Sequence, residues 1–333
     1  MAATFSLFSP SELSFSSVPL TFSSSLAHPD DDVPLRPDGR LPLQYRDIIL
    51  QTGVSQAQGA LGSAKVVVED AAGAGGGEST EIWAGVRGEV ENVQEGQDGG
   101  RVVVSLECAP TALPSLNAEL PLHLASLLAS LFSTSTLPPS LLGQLTILPQ
   151  SKAWTLYLDI LILSSSGGNV VDLSILAARA ALANTRIPVT RSIGFGDDED
   201  EDTAKGEGGA GMTVDEGFSG LVKGGKAGVK AVDFELVDGG ESGVRLKDWE
   251  DLPLGLTLNL INQLPHLDAT VLEQSASTSQ LVACFIPSSG AVCGLTQLGE
   301  GEIEYARVMP LVQQAGKFAQ ELARGLNARL RDA

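Results

Sequence analysis

The chain has 333 residues, enough for one large domain or two of average size. Hydrophobic residues make up 43% and charged residues 19%, so most of the chain can form a packed core. The 41 Asp and Glu against 21 Lys and Arg give a formal charge of −20, which argues against binding nucleic acid through a broad basic surface. No stretch approaches the roughly 18 apolar residues of a membrane span, so we expect no membrane partner.

Residues 1–34 are rich in Ser and Phe and carry no Lys or Arg. They lack the basic region of a secretory signal and the arginines of a transit peptide. We therefore predict a leader with one short helix, capped by Ser9 or Ser11. The chain has three cysteines, Cys108, Cys284 and Cys293. They are too few for a disulfide framework and lack zinc-ligand spacing, which indicates core residues in a reducing compartment. We therefore expect no metal and no cofactor.

Residues 35–193 alternate between β-rich and helical patterns. The Gly-rich loop 71–78 separates two β-rich runs, which predicts a hairpin. Leucines at helical spacing predict a helix over about 120–132, and the run 154–163 is apolar at nearly every position, as in a strand buried on both faces. The predicted elements in order are strands 64–69, 81–91 and 101–108, the helix 120–132, the strand 154–163, and a helix 172–184 with Asp172 as its N-cap.

Residues 194–243 are predicted to form a largely disordered insert. They open with six consecutive acids at 197–202 and continue rich in Gly. The β-then-helix pattern returns over 244–333, with strands at 255–261, 280–286 and 291–297 and a helix at 310–330 that has Pro310 in its first turn. Two such units predict a duplicated α+β architecture with mixed sheets and helices rather than a doubly wound sheet.

The segment 35–46 (LRPDGRLPLQYR) combines a turn at Pro37 with three arginines. It resembles the entry segment of the RNase PH superfamily. The resemblance continues, in the family's order, through GSAK at 62–65, the apolar run 154–163, AARAALANTRIP at 177–188 and LDATVLEQ at 267–274. NTRIP at 184–188 and HLDAT at 266–270 are most similar to the class of RNase PH-type ring subunits of the eukaryotic RNA exosome that descends from the catalytically silent archaeal subunit.

This resemblance implies an RNase PH-like fold in a six-subunit ring, topped by RNA-binding cap proteins. RNA would thread the central channel towards a separate 3′→5′ nuclease. The expected localisation is the nucleus, including the nucleolus, and the cytoplasm. The expected partners are the other ring subunits, the cap proteins, and RNA through the assembled channel. The implied function is structural support of RNA processing and degradation.

The family's active site is degenerate at identifiable positions. Phosphorolytic members grip phosphate with a Gly-Gly-Thr-Arg turn, whereas this chain has Asn169 and Val170 at the last two positions, and valine cannot donate to an oxyanion. Active members also carry two aspartates six residues apart, and here the first is Asp268 while the second position holds Gln274. Glu273 is adjacent but would point differently. We therefore expect no catalytic activity.

Candidates for RNA contact are few. The loop that can carry channel-facing arginines in this class corresponds to residues 113–122, which contain no Arg or Lys. Arg87 and Arg101 are the nearest basic residues, and solvent-facing strand charges are the simpler interpretation of both. Two other hypotheses remain open: an active phosphate-dependent 3′→5′ exoribonuclease, and an acidic adaptor that recruits basic partners through residues 197–202.

Overall fold

The computed structural model describes residues 8–18, 20–22, 33–54, 59–69, 79–93, 99–112, 119–193, 233–237 and 243–331. Near the N-terminus, helix α1 (Pro10–Ser17) is followed by a small antiparallel pair, β1 (Leu20–Phe22) and β2 (Val33–Leu35). Ser9 caps α1 in a capping box, because its Oγ accepts from the Glu12 amide at 3.3 Å while the Glu12 carboxylate accepts from the Ser9 amide at 2.7 Å. This confirms Ser9 as the cap.

The first large sheet has six strands: β3 (Ile48–Thr52), β4 (Gly62–Glu69), β5 (Ser79–Asn92), β6 (Arg101–Cys108), β7 (Thr146–Leu148) and β8 (Lys152–Ser165). The order is β3-β4-β5-β8-β6, with β7 also on β8. The β4–β5 pair is antiparallel, which confirms the predicted pairing, although the connecting residues 70–78 lie outside the described residues. The β6–β8 pair is parallel.

Among the described elements, helices cover mainly one face of this sheet. Helix α4 (Val170–Ala183) packs on β4, β5 and β8, and helix α2 (Glu119–Leu131) packs on β6, while the short α3 (Pro139–Gly143) precedes β7. The prediction that 154–163 is buried on both faces was wrong. Residues on one side of β8 are buried and alternate with half-exposed neighbours such as Tyr157, Asp159 and Leu161, the pattern of a strand with one face towards water.

Two short pairs follow α4. Strand β9 (Arg186–Pro188) pairs with β12 (Gly243–Arg245), and β10 (Thr190–Ile193) pairs with β11 (Asp233–Leu236). Strand β11 lies inside the predicted disordered insert, so that at least this part of it is ordered, because a partner strand satisfies its backbone groups. The rest of that prediction falls on residues 194–232 and 238–242, which lie outside the described residues.

The second large sheet has the order β14-β13-β15-β16, all antiparallel. Its elements are β13 (Leu254–Ile261), β14 (Leu264–His266), helix α5 (Val271–Ala276), β15 (Ser279–Phe285), β16 (Val292–Leu298) and the long helix α6 (Tyr305–Arg331). Helix α6 packs on one face of this sheet, through buried residues that include Leu311, Ala315 and Ala319. Helix α4 contacts β13 as well as the first sheet, so it forms the core between the two sheets.

The position predicted for Pro310 was wrong. Helix α6 begins five residues earlier, at Tyr305, so that Pro310 lies inside the helix. Proline has no amide hydrogen, and one helical hydrogen bond is therefore given up at this position. No helix of the described residues is long and apolar enough to span a membrane.

Candidate functional site

Arg36 joins the N-terminal segment to the second half of the chain. Its Nε donates to Glu273 Oε1 at 2.8 Å, and its Nη2 donates to Glu273 Oε2. The same guanidinium also donates to the Leu267 carbonyl at 2.7 Å and to the Asp268 carbonyl at 2.9 Å. Both Arg36 and Glu273 are buried, so this charge pair is shielded from water. The guanidinium is used to hold two distant segments together.

Arg46 and Asp268 form a second buried pair beside the first. Arg46 donates from Nε to Oδ2 at 2.9 Å, from Nη2 to Oδ1 at 2.8 Å and from its backbone amide to Oδ2 at 2.8 Å. The Arg40 Nη1 donates to the same Oδ2 at 3.0 Å. Burial alone would raise the pKa of Asp268, but the hydrogen bonds and charge of Arg46, aided by Arg40, lower it to about 2. Asp268 is therefore ionised and fully engaged at neutral pH.

The turn at residues 167–170, which corresponds to the family's phosphate-binding turn, packs against the Arg46–Asp268 pair. Gly168 has a φ of +78°, and a β-carbon there would lie 2.6 Å from the Ala269 carbonyl oxygen, so the turn packs directly on the second half of the chain. Asn169 is buried with a φ of +55°, and its Nδ2 donates to Asp268 Oδ1 at 2.8 Å. Arg46 Nη1 donates to the Gly167 carbonyl at 2.7 Å. The hydrogen-bond donors of this site therefore point to a carboxylate of the chain itself, that of Asp268.

Val170 and Gln274 bring no charge to the site. Val170 is buried at the first position of α4, while Gln274 is half-exposed on α5, and its side chain has no hydrogen-bond partner within the described residues. Glu273, next to Gln274, closes a capping box with Thr270, whose amide donates to Glu273 Oε2 at 2.9 Å. Glu273 thus serves Arg36 and the start of α5, and the position of the second family aspartate holds an uncharged amide.

Sequence reasoning missed the environment of Asp172. It was predicted as the N-cap of α4, but Asn169 occupies that position and Asp172 lies in the first helical turn, fully buried between the two sheets. It accepts from Thr257 Oγ1 at 2.6 Å and from the Tyr45 hydroxyl at 3.5 Å. Burial raises the pKa of Asp172 to about 7. The signal available in the sequence was one acid within an otherwise apolar Ala/Leu helix.

The two RNA-contact candidates lie apart from this site, on the open face of the first sheet. Arg87 donates from Nε to Asp159 Oδ2 at 2.9 Å and lies 5.8 Å from the centroid of the Tyr157 ring. Arg101 donates from Nη2 to Glu91 Oε2 at 2.6 Å. Each guanidinium faces a carboxylate of the chain, which leaves little positive charge for phosphate. Of the predicted loop 113–122, residues 113–118 lie outside the described residues.

The thiols and histidines of the described residues are not arranged as a metal site. Burial raises the pKa of Cys284 to about 12 and that of Cys293 to about 11, so both thiols stay protonated at neutral pH. His123 is exposed on α2, whereas His266 is buried beside the Leu264 carbonyl. Within the described part of the chain, no three His, Cys, Asp or Glu side chains are placed to hold a metal ion.

Comparisons with known proteins identify relatives of this chain. Residues 44–188 match the RNase PH family described as 3′ exoribonuclease family, domain 1. The exosome complex component Rrp42 of Sulfurisphaera tokodaii is 34% identical over 46% of this chain and 53% of its own length. The putative exosome complex exonuclease RRP42 of Dictyostelium discoideum is 26% identical over 48% of this chain and 61% of its own. The chain thus spans little more than half of these relatives.

Solved structures show the same fold at lower identity. A chain of the Archaeoglobus fulgidus exosome with RNA bound to the active site superposes with a TM-score of 0.59 at 21% identity, over 87% of this chain and 92% of that one. Rice Rrp46 gives a TM-score of 0.50 at 15% identity, over 89% and 100%. The predicted fold is therefore confirmed: the chain has an RNase PH-like fold, as in these exosome core structures, and residues 44–188 match the RNase PH family model.

Proposed function

We propose that this chain is a non-catalytic structural subunit of an RNA exosome ring, which supports 3′→5′ RNA processing and degradation by holding ring neighbours around the RNA channel. The names of its relatives support the assembly, since they are exosome components. The single observation that carries the non-catalytic part is the Asp268 carboxylate, which accepts hydrogen bonds from Arg40, Arg46 and Asn169.

Anion binding needs donors whose charge is not already used. The three arginines of the entry segment face three carboxylates: Arg36 pairs with Glu273, Arg46 with Asp268, and Arg40 with both Asp38 and Asp268. An incoming phosphate would have to displace a buried carboxylate from its arginines, and breaking a buried ion pair costs about 3–5 kcal/mol. Val170 adds no donor that could offset this cost. The site stabilises the junction between the two halves of the chain instead of binding phosphate.

The proposed partners are RNase PH-like ring subunits and cap proteins, with RNA reaching the chain only through the assembled channel. A formal charge of −20 favours neighbours with complementary basic surfaces. The proposed compartments are the nucleus, including the nucleolus, and the cytoplasm, which imaging of a fluorescently tagged full-length chain tests. Exclusion of the tagged chain from either compartment would contradict that part of the proposal.

A phosphorolysis assay tests the absence of catalysis. The chain is purified alone and in complex with an RNase PH-type ring partner whose own site is inactivated, and each sample is incubated with labelled RNA and inorganic phosphate. We expect no nucleoside diphosphate from either sample. Phosphate-dependent diphosphate release that co-elutes with the chain, and that disappears in a folded Asp268→Asn variant, would overturn the proposal.

Co-expression tests the structural role. We expect the chain to co-elute with at least one RNase PH-type ring partner, and its melting temperature to rise in the complex, because a partner that binds only the folded state stabilises it. A chain that stays monomeric with an unchanged melting temperature in the presence of each candidate ring partner would contradict the scaffold role.

A further inference from the structure

Strand β16 forms an open edge of the second large sheet. It is the last strand in the order β14-β13-β15-β16 and pairs only with β15 among the described strands. The Ile286 amide donates to the Ala291 carbonyl at 2.9 Å, so Ala291 faces β15 where this hairpin closes. Counted from that bond, with Cys293 as the extra residue of the bulge, the peptide groups of Leu295 and Gln297 point away from β15. An edge of this kind is a template on which another strand can pair.

Exposed apolar side chains follow the same edge. Val292 and Leu295 are each 47% exposed, whereas their partners on β15, Phe285 and Ala283, are buried under helix α6. Cross-strand partners lie on the same face of a sheet, so Val292 and Leu295 belong to the face that carries α6. The helix therefore covers β15 but leaves β16 open.

Helix α6 adds two further exposed apolar side chains on the side next to β16. A β-carbon at Gly316 would lie 3.3 Å from the Phe285 ring, which shows that this side of the helix faces the end of the β15–β16 hairpin. Helical spacing places Tyr305 and Met309 on the same side, and they are 89% and 59% exposed. Arg307, between them, points the other way and donates to a carbonyl of the β13–β14 turn at 2.6 Å.

These residues form one surface without charge, which we call the β16–α6 surface: Val292, Leu295, Gln297, Tyr305 and Met309. Residues 274–299 contain no Asp, Glu, Lys or Arg, although 19% of the chain is charged. The centre of a protein–protein interface is typically depleted in charged residues and enriched in aromatic residues and Met. The β16–α6 surface has that composition together with unpaired backbone groups.

A second copy of the chain matches this surface by symmetry. Two edge strands that pair antiparallel about a two-fold axis offer each other the same uncharged side chains, so neither copy has to desolvate a charge. The nearest acids, Glu300, Glu302 and Glu304, all follow the C-terminal end of β16. In the antiparallel pair the two acidic groups lie at opposite ends of a strand about 23 Å long, far beyond a Debye length of about 8 Å. Like charges therefore do not meet across the contact.

We propose that two copies of the chain pair through β16 and join their second sheets into one sheet of eight strands. Leu295 of each copy lies opposite Gln297 of the other, and their outward peptide groups exchange hydrogen bonds. The exposed leucines of both copies come together on the face that carries α6, with Tyr305 and Met309 at the border. The proposal concerns the chain outside the ring, and it does not rest on the proposed ring role.

Sedimentation velocity of the purified full chain tests the proposal, at about 1–100 μM protein and at about 0.05 and 0.5 M NaCl. We expect an equilibrium between monomer and dimer with no larger species, because a two-fold contact is closed. We also expect the dimer to be tighter at the higher salt concentration, because salt screens the repulsion between two chains of formal charge −20 while the contact itself is uncharged.

Two variants form a matched pair. Leu295→Lys places a charge on the β16–α6 surface, and an exposed edge position of this kind accepts Lys without loss of the fold. Leu264→Lys adds the same charge on β14, the opposite edge of the same sheet, where the leucine is 39% exposed. We expect the first variant to raise the dimer Kd at least about tenfold and the second to change it less than about twofold. Circular dichroism checks that both variants fold.

Amide hydrogen exchange of the parent chain gives a measurement that needs no variant. We expect exchange at Leu295 and Gln297 to slow as the protein concentration rises from about 1 to 100 μM, because their amides become bonded in the dimer. Exchange at these two amides that is independent of concentration in a dimeric sample would place the contact elsewhere and overturn the proposal.

Three sedimentation results would also overturn it. One is a parent chain that stays monomeric at about 100 μM and high salt, and another is equal dimerisation of Leu295→Lys and the parent. The third is a dimer that weakens as salt is added, which would assign the contact to charged surfaces. A monomeric parent whose co-elution with a ring partner is lost in Leu295→Lys would assign the β16–α6 surface to that ring neighbour instead of a second copy.

Discussion

Two regions that follow one another along the chain differ in how their polar and apolar groups are used. At the junction between the halves, Arg36 and Arg46 meet buried carboxylates, and every one of those charges has a partner. A few residues later, Ile48 and Leu50 border a mostly apolar groove against helix α6, with Arg329 and Glu321 as its charged lining residues. The charged side chains of the junction therefore hold the fold together, whereas the neighbouring groove is lined mainly by apolar side chains.

The largest expected effect concerns the junction. Replacing Asp268 by Asn removes the charge that compensates buried Arg46 and half-buried Arg40, and an unpaired buried charge costs about 3–5 kcal/mol. Urea denaturation of the variant measures this loss of unfolding free energy. Asp159→Asn is the matched control, because Asp159 pairs with Arg87 on the exposed face of the sheet, and we expect its midpoint to be unchanged. Equal effects of the two variants would contradict the structural role of Asp268.

The same pair predicts a loss of stability in acid. The folded pKa of Asp268, about 2, lies below its ordinary value of 3.8. Its contribution of about 2 kcal/mol is therefore present above about pH 4 and is lost as the pH falls towards 2. Denaturation of the parent chain and of Asp268→Asn between pH 2 and 6 measures the difference. Parallel pH profiles would contradict a depressed pKa.

One substitution made in both regions sharpens the contrast between them. Gly168→Ala places a β-carbon against the Ala269 carbonyl at a positive φ and should destabilise the chain by about 2 kcal/mol or more. Gly325→Ala meets open space in a helix and should stabilise it by up to about 1 kcal/mol. Thermal and urea denaturation of the two variants measure both values. Effects of the same sign would show that the two regions are equally packed.

A further prediction concerns the buried carboxyl between the sheets. The pKa of Asp172 is raised from 3.8 to about 7, so its contribution to stability is fully present below about pH 4 and is lost as the pH rises through 7. Asp172→Asn retains an acceptor for Thr257, and the Tyr45 hydroxyl can accept from the new amide. We expect the variant to be more stable than the parent by about 4 kcal/mol at pH 8, with little difference at pH 4. A variant that is less stable at pH 8 would contradict a raised pKa.

The smallest expected effect is on RNA. Arg87→Ala and Arg101→Ala should each change the affinity of the isolated chain for single-stranded RNA by less than about twofold, because Asp159 and Glu91 already neutralise these guanidiniums. Filter binding at low and moderate salt measures the affinity. A loss of tenfold or more in either variant would identify the open sheet face as an RNA contact.

Local patterns predicted much of the fold. The β-rich runs and turn residues located β4, β5 and β6 and, in the second sheet, β13, β15 and β16 but not β14, and helical spacing located α2, α4 and α6. The boundaries failed where tertiary contacts decide them. Asn169 takes a left-handed conformation because its side chain reaches Asp268, and this moves the cap away from Asp172. The open face of β8 could not be predicted from an apolar run, because the run does not reveal which helices cover the strand.

The sequence predicted which residue types occupy the candidate site but not which side chains pair with each other there. The substitutions at Val170 and Gln274 could be read from the sequence because the family pattern supplies the comparison. The pairing of Arg46 with Asp268 joins residues 222 positions apart, and no local pattern carries that information.

Direct titration of inorganic phosphate onto the purified full chain, followed by isothermal calorimetry, tests the central claim. Because Asp268 already accepts the donors of Arg46, Arg40 and Asn169, we expect no saturable binding at millimolar phosphate. The variant carrying both Val170→Arg and Gln274→Asp provides the comparison with a partly restored site. Saturable phosphate binding by the parent chain that is lost in a folded Asn169→Ala variant would contradict the structural role of the Asp268 site.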